Sequence, residues 1–298
     1  MRRALESAGD VMLGAEGALL SADAEILVPR LTHNVGKAEM DAMPALRIIA
    51  TPSTGTDHID LEAARQRQIQ VISLRGDTEF LETLQSTAEL TWLLILACVR
   101  RFREANQRAM SGAWDAMAVR GDELIGKTLG IVGLGRLGKM VARFGLAFRM
   151  RVLACDVREV QLDGVERVDF EYLLQTSDIV SIHVHLDDST RHLMGRREIG
   201  LLKPGAVLVN TSRGAVVDEA ALLDALKSGR VSAAGLDVLT GERDGDFPSH
   251  PLIEYARNND HLILTPHVGG CTVDAQRKAF LHTARKIGEV WRAVSSQS

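Results

Sequence analysis

The sequence predicts an α/β protein with two domains, each built around a doubly wound parallel sheet. Short apolar segments of strand length alternate with segments of helix length in two stretches, at about residues 26–73 and 105–266. In the second stretch a glycine-rich turn joins one of these strands directly to an amphipathic segment. The 298 residues, 46% of them apolar, suffice for two domains of ordinary size.

The first stretch predicts a small parallel unit. Its strands are expected at residues 11–13, 26–28, 46–50 and 69–73. A turn at residues 53–60 follows the third of these strands, and Asp60 is placed to cap a helix over residues 61–67. Residues 82–103 predict one long helix with an apolar centre, which we interpret either as a bridge between the domains or as a core helix.

The second stretch predicts a larger sheet of six parallel strands with helices between most of them. These strands are expected at residues 129–132, 152–155, 179–183, 206–210, 233–236 and 262–264. A polar turn after Pro266 leads into a helix predicted over residues 272–294. Open sheets of this kind bind ligands beyond the carboxyl ends of their strands, so polar residues that follow the strands are functional candidates.

The turn after the first strand of the larger sheet has the spacing G-x-G-x-x-G at Gly133, Gly135 and Gly138. In a dinucleotide-binding turn the first glycine permits the bend and the second lets the backbone approach a pyrophosphate, while the third allows close helix packing. The next helix begins at Arg136 and Leu137, and its free N–H groups point towards the phosphates. This pattern predicts a phosphate site.

A second strand follows and ends in Asp156, eighteen positions after Gly138. In a dinucleotide-binding unit a carboxylate at that distance lies beside the adenine ribose. The alternative is an ordinary strand–helix–strand unit with a surface aspartate.

Composition restricts the class of partner. The net charge is −4 and no long basic run is present, so neither nucleic acid nor an anionic membrane is an expected partner. The three cysteines are scattered, which predicts neither a disulfide framework nor a metal site. The first residues do not read as a signal peptide, and the longest apolar run is too short to span a bilayer. We therefore expect a cytoplasmic protein.

Several segments together resemble one family, the D-isomer-specific 2-hydroxyacid dehydrogenases, and most closely their phosphoglycerate-dehydrogenase-like branch. The matching segments are residues 53–60, 87–89, 123–138, 178–183, 210–218, 235–242 and 264–272. The resemblance implies a Rossmann-like NAD-binding domain, residues 89–270, inserted into a smaller split substrate domain, residues 1–88 and 271–298. It further implies interconversion of a D-2-hydroxy acid and a 2-oxo acid with NAD, in a homodimer formed through the cofactor domain.

The resemblance assigns catalysis to Arg213, Glu242 and His267. An arginine after a buried strand can hold a carboxylate with two hydrogen bonds and polarise the adjacent carbonyl. An imidazole titrates near neutrality, so His267 can exchange the hydroxyl proton. A carboxylate at Glu242 would orient that ring and stabilise its protonated form. The family usually has proline after this glutamate, whereas this sequence has Arg243.

The remaining assignments also come from the resemblance. The cofactor-binding set is Gly133, Gly135, Arg136, Leu137, Gly138, Asp156, His183, Thr211, Ser212, Asp237, Gly269 and Gly270. Within it, Thr211 and Asp237 are expected to contact the nicotinamide carboxamide. Asp156 is expected to favour NAD over NADP by repelling a 2′-phosphate, although Arg158 lies close enough to oppose this preference.

The substrate-binding set is Arg30, Ser53, Thr54 and Gly55. The turn at residues 53–55 is expected to present backbone N–H groups to the substrate carboxylate, and Arg30 could meet a second anionic group. Ser53 stands where the family often has glycine.

Two alternatives remain open at this point. A fold can be retained without its chemistry, so the protein could be an NAD(H)-sensing, non-catalytic binding protein of the corepressor type. Oxidation of formate or phosphite is a third possibility, which the generic substrate loop does not favour.

Overall fold

The computed structural model describes residue 10 and residues 21–30, 33–242 and 247–295. The polypeptide folds into two compact units. The smaller unit comprises residues 1–84 and 272–298, and the larger unit comprises residues 85–271. The domain boundaries expected from the sequence fall at 88/89 and 270/271. Within the described ranges, no helix has the length and apolar character needed to cross a bilayer.

The smaller unit contains a parallel sheet, in which the described residues form three strands. These are β1 (Ile26–Leu27), β2 (Ile48–Ala50) and β3 (Gln70–Ile72), in the order β1-β2-β3. Its helices are α1 (Lys37–Asp41), α2 (Leu61–Gln66), α3 (Thr78–Glu82) and α11 (Val273–Ser295). The Asp60 carboxylate accepts a hydrogen bond from the Ala63 N–H at 2.9 Å, which is the predicted cap of α2. The strand predicted at residues 11–13 lies outside the described residues.

The larger unit alternates helices and strands along its whole length. Its helices are α4 (Ser86–Val99), α5 (Phe102–Met110), α6 (Arg136–Ala147), α7 (Phe170–Thr176), α8 (Arg196–Leu201), α9 (Glu219–Lys227) and α10 (Pro251–Arg257). Its strands are β4 (Thr128–Val132), β5 (Arg151–Cys155), β6 (Val165–Arg167), β7 (Ile179–Ile182), β8 (Ala206–Asn210), β9 (Val231–Leu236) and β10 (Leu262–Leu264).

These strands form a parallel sheet in the order β10-β9-β8-β7-β4-β5-β6. The described residues give this sheet seven strands, so the predicted number of six was wrong. The strand that the sequence missed, β6, pairs with β5 and ends the strand order at that side of the sheet. Two of its three residues are charged and exposed, so it lacks the apolar run that marks the buried strands.

The single helix predicted over residues 82–103 was also wrong. The backbone forms α4 and then α5, and Arg101 between them has a left-handed conformation with φ of 49°. Nine of the fourteen residues of α4 are buried, and α4 packs on α6, β8 and β9. It is therefore a core helix of the larger unit, which was one of the two interpretations.

Apolar side chains cover both faces of the larger sheet. One core includes Leu153, Ile182 and Leu208, and the other includes Ile131, Val152 and Trp92. Strands buried on both faces read as continuous apolar runs, as β4 and β8 do. Since the strands of this sheet are parallel, the segments that follow them lie along one edge of the sheet.

Candidate active site

The glycine turn after β4 has the geometry of a dinucleotide-binding turn. Gly133 has a positive φ of 94°, and a Cβ there would lie 2.8 Å from the carbonyl oxygen of His183. A Cβ at Gly138 would overlap the carbonyl oxygen of Gly133. Both positions therefore require glycine for reasons of the fold itself. The turn lies at the switch point of the sheet, between β4 and β7.

Gly135 differs, because the packing of the protein does not require glycine there. Its φ is −73°, and the described atom nearest to a Cβ there would be the Arg158 guanidinium, at 3.5 Å. Gly135 is the N-cap of α6 and offers no side chain to cap this helix, so the first N–H groups of α6 face the turn. A side chain at residue 135 would occupy space beside the backbone of the turn. With glycine there, a pyrophosphate can contact the backbone directly, so the turn fits this group.

The Asp156 carboxylate lies directly after β5 and is bound on both oxygens. It accepts hydrogen bonds from the backbone N–H groups of Leu134 and Arg158, both at 2.9 Å. It also pairs with the Arg158 guanidinium at 3.2 Å. Although burial opposes ionisation, the hydrogen bonds from Arg158 hold the pKa of Asp156 below its usual range. The carboxylate is thus anionic and fixed beside the glycine turn.

His183 follows β7 directly, whereas the sequence predicted it as the last residue of that strand. Its Nε2 lies 2.8 Å from the Ser181 hydroxyl, and no described group hydrogen-bonds to its buried Nδ1. Burial lowers the pKa of His183 to about 4, so the ring is neutral at physiological pH. An unsatisfied polar atom beside the glycine turn is consistent with a ligand there.

Asn210 shapes the turn that carries Arg213. Its Oδ1 accepts from the N–H and hydroxyl of Ser212 at 2.9 and 2.7 Å, and its Nδ2 donates to the Arg213 carbonyl at 2.9 Å. The Arg213 guanidinium donates to the Ser212 carbonyl at 2.8 Å. Sequence reasoning missed Asn210, although a buried polar residue at the end of an apolar strand was a signal.

The loops after β9 and β10 bring Glu242 and His267 together. Glu242 Oε1 lies 2.5 Å from His267 Nδ1, and both side chains are partly buried. The left-handed backbone of His267, with φ of 54°, is unusual for a residue other than glycine. The pair forms an imidazole oriented by a carboxylate, at the same edge of the sheet as the Arg213 turn and the glycine turn.

The Asp237 carboxylate accepts hydrogen bonds from the loop that carries His267. Asp237 is one of the two residues predicted to contact the nicotinamide carboxamide. Oδ1 accepts from the Thr265 hydroxyl at 2.6 Å and the Val268 N–H at 2.8 Å, and Oδ2 accepts from the Gly269 N–H at 2.8 Å. The His267 N–H donates to the Asp237 carbonyl at 2.8 Å. Asp237 therefore holds the left-handed conformation of His267 in place.

The other predicted carboxamide contact, Thr211, also has a partner within the protein. Its hydroxyl lies 2.8 Å from the Thr91 hydroxyl on α4, and the Thr91 hydroxyl donates to the Thr87 carbonyl. The Thr211 side chain thus anchors the Arg213 turn to the core. The predicted contacts of Thr211 and Ser212 with the cofactor stay predictions.

The predicted substrate residues belong to the smaller unit. The Ser53 hydroxyl donates to the Gly55 carbonyl at 2.7 Å and lies 2.9 Å from the Thr51 hydroxyl, which closes the turn at residues 53–55. Arg30 is exposed shortly after β1. The polar residues 243–246 lie outside the described residues.

Comparison with known proteins identifies the larger unit. Residues 92–269 match the family described as D-isomer specific 2-hydroxyacid dehydrogenase, NAD binding domain. The protein belongs to this family. A hydroxypyruvate reductase from Thermotoga maritima is 38% identical over 266 residues, which are 89% of this chain and 84% of the relative.

Two further members of the D-2-hydroxyacid dehydrogenase family extend the comparison. The D-3-phosphoglycerate dehydrogenase of Methanocaldococcus jannaschii is 38% identical over 275 residues, which are 91% of this chain but only 50% of that protein. The structure of the D-lactate dehydrogenase of Aquifex aeolicus, complexed with NAD and lactic acid, has a TM-score of 0.83 at 30% identity. That match covers 99% of this chain and 92% of the other.

These relatives confirm the predicted family, fold class and cofactor. The protein is an NAD-dependent enzyme with the activity of a D-2-hydroxyacid dehydrogenase. The relatives do not support the alternative of a non-catalytic NAD(H)-sensing protein, because they are named as reductases and dehydrogenases.

The Asp156–Arg158 pair leads to a prediction about cofactor preference. We expect Asp156→Ser to raise the ratio of kcat/KM with NADPH to kcat/KM with NADH by about 10–100-fold, the effect of gaining a charge-assisted hydrogen bond. The substitution removes the anion that repels a 2′-phosphate and releases the guanidinium to bind it. Initial rates with the two cofactors measure the ratio.

The double variant Asp156→Ser, Arg158→Ala is the control for this prediction, because it removes the guanidinium as well. It should lose most of the gain with NADPH. A wild-type enzyme that already prefers NADPH would show that Asp156 has a different role.

Proposed function

We propose that the enzyme interconverts a small D-2-hydroxy acid and its 2-oxo acid, with Arg213, Glu242 and His267 as its catalytic residues. The observation that carries this proposal is the 2.5 Å contact between Glu242 Oε1 and His267 Nδ1, at the edge of the sheet where the Arg213 turn also lies. An imidazole held by a carboxylate is suited to exchanging a proton with a hydroxyl group.

The contact between Glu242 and His267 supports roles for these two residues, and the family resemblance supports the role of Arg213. When bound, NADH supplies the hydride that reduces C2 of the 2-oxo acid. His267 gives its Nε2 proton to the oxygen at C2, since its Nδ1 is bonded to Glu242. Glu242 fixes the orientation of the ring through its contact with Nδ1. The planar guanidinium of Arg213 binds the substrate carboxylate and polarises the carbonyl group. In the oxidative direction His267 takes the proton back.

The choice among 2-oxo acids is a separate part of the proposal. The resemblance assigns the substrate carboxylate also to the backbone N–H groups of residues 53–55, and it assigns a second anionic group to Arg30. The Ser53 hydroxyl adds bulk where the family often has glycine, which favours a small substrate. A phosphoglycerate-like substrate is the second candidate, because Arg30 is exposed and could bind a phosphate.

The test is the rate of NADH consumption with glyoxylate, pyruvate, hydroxypyruvate and phosphohydroxypyruvate. We expect turnover of at least one non-phosphorylated acid, with a D-configured product. A strong preference for phosphohydroxypyruvate that is lost in Arg30→Ala would select the second candidate. NADH binding without turnover of any acid would contradict the proposal.

We also propose that the enzyme is a homodimer that associates through its larger unit. Large apolar side chains on α5 and in the segment after it are exposed, namely Phe102, Met110, Trp114 and Met117. Trp114 is 91% exposed, which is costly for a tryptophan in water. A second copy of the protein is the partner that the family resemblance implies.

We expect Trp114→Glu to shift the enzyme from the mass of a dimer to the mass of a monomer, because the substitution places a charge in the contact. Size-exclusion chromatography with light scattering measures the mass. Val157→Glu, at another exposed apolar residue of the larger unit, is the matched control and should leave the dimer intact. A monomeric wild type would contradict the proposal.

A further inference from the structure

The loop that carries Glu242 is attached at a second point, away from His267. The Thr240 N–H donates to Glu219 Oε1 at 2.7 Å, and Glu219 is the first residue of α9. The other oxygen of this carboxylate, Oε2, lies 3.3 Å from His250 Nε2. Glu219 therefore connects Thr240, two residues before Glu242, with His250, eight residues after it.

The tautomer of His250 follows from its own hydrogen bonds. His250 is the N-cap of α10, and its Nδ1 accepts from the Leu252 N–H at 3.3 Å. Since Nδ1 is an acceptor, the proton of the neutral ring is on Nε2 and is donated to Glu219. The side chains of His250 and Glu219 are only 15% and 17% exposed, so the hydrogen bond between them is largely shielded from water.

The same stretch of backbone also meets the Arg213 turn. A Cβ at Gly214 would overlap the Leu239 carbonyl carbon and the Thr240 nitrogen, so the two loops are in direct contact there. Glu219 comes five residues after Gly214, at the start of a helix capped by Asp218. A displacement of Thr240 would thus affect both the arginine turn and the position of Glu242.

We propose that Glu219 is a positioning residue for the reaction. Its carboxylate fixes Thr240 and His250, and it thereby keeps Glu242 within hydrogen-bond distance of His267. Glu219 acts through the backbone of Thr240 and not on the substrate. This inference rests on the proposed function of the Glu242–His267 pair.

Two variants at Glu219 test the inference. Glu219→Ala removes both hydrogen bonds, and we expect kcat to fall about 10–30-fold, the effect of one charge-assisted hydrogen bond. The Kd of NADH, followed by fluorescence, should change less than about twofold. Glu219→Gln keeps an amide oxygen for the Thr240 N–H but sets an amide NH2 group against the Nε2–H of His250, so it should recover part of the lost kcat and not all of it.

Hydrogen–deuterium exchange gives a readout that does not depend on the reaction. The peptide that contains residues 237–242 should exchange faster in Glu219→Ala than in the wild type, because the Thr240 N–H loses its acceptor. Asp169→Ala is the matched control, since Asp169 caps α7 through the Tyr172 N–H at 2.8 Å and is outside the proposed site. The Asp169→Ala variant should lose about as much stability as Glu219→Ala but keep the kcat of the wild type.

Three results would overturn the inference: unchanged exchange in Glu219→Ala, unchanged kcat in Glu219→Ala, or an equal loss of kcat in Asp169→Ala. The exchange measurement needs no substrate. If the wild type turned over no 2-oxo acid, the proposed function would fail while this measurement still tested the role of Glu219 in holding the loop.

Discussion

Replacing His267 by asparagine is expected to lower kcat by roughly 10²–10⁴-fold, the usual contribution of a positioned general acid–base group. Asparagine is the informative substitution because residue 267 has a φ of 54°. Asparagine tolerates this left-handed conformation better than alanine does. The loss of activity then reports the loss of the imidazole and not a strained loop. Stopped-flow or steady-state NADH oxidation measures kcat.

His261→Ala is a matched control for this prediction. His261 precedes β10, at the amino end of the strand, whereas His267 follows the carboxyl end. Its Nε2 lies 3.0 Å from the Tyr255 hydroxyl, so the variant should lose some stability and retain kcat. If His267→Asn kept near-normal activity while NADH bound normally, His267 would not be part of the mechanism.

The contribution of Glu242 to kcat can be measured separately from the contribution of His267. Glu242→Gln keeps the shape of the side chain and removes its charge, so we expect kcat to fall by less than in His267→Asn. Because the two side chains act as one unit, the double variant should be little worse than His267→Asn. If the double variant instead lost kcat by the product of the two single-variant factors, Glu242 would act independently of His267.

The parallel sheet and the glycine turn could be predicted because each is encoded locally. Every residue of β4 is buried and apolar or small, and the glycines of the turn follow it directly. Edge strand β6 could not be predicted in the same way, since it lies at the end of the strand order and its charged residues face solvent. The break at Arg101 was missed because an arginine in a left-handed conformation has no signature in the sequence.

The site was predictable as a set of residue types but not as a set of contacts. Arginine and histidine after buried strands indicated chemistry at the carboxyl edge of the sheet. The contact between Glu242 and His267 depends on how Asp237 binds the backbone of the next loop, and this spans about 30 residues of sequence. Hydrogen bonds between loops that are far apart in the sequence leave no local pattern, so the sequence alone could not predict this contact.

Thr211 is a second residue whose hydrogen-bond partner the sequence did not reveal. The resemblance placed this residue on the cofactor, and the structure pairs its hydroxyl with Thr91 on a helix 120 positions earlier. A buried hydroxyl takes the nearest partner that satisfies it, and the sequence does not reveal which one is nearest. Thr211 therefore has a defined role in the fold, which is to anchor the Arg213 turn to α4.

Arg213→Lys is expected to lower kcat/KM for the 2-oxo acid by roughly 10²–10³-fold, as the loss of a fixed hydrogen-bond donor at a reacting carbonyl does. Lysine keeps the positive charge but has no planar fork, so it cannot bind a carboxylate with two parallel hydrogen bonds. The turn itself should persist, because Asn210 holds the backbone of residue 213 and not its side chain. The Kd of NADH should therefore stay near that of the wild type.

Chemical rescue distinguishes an electrostatic role from a structural one. In Arg213→Gly, added guanidinium ion should restore part of the activity, whereas ammonium ion at the same concentration should not. The distinction follows from the number and arrangement of donors, since both ions carry one positive charge. Equal rescue by the two ions would mean that Arg213 supplies only charge, and an active Arg213→Lys enzyme would agree with that result. Activity in Arg213→Gly without either ion would place the carboxylate on other groups.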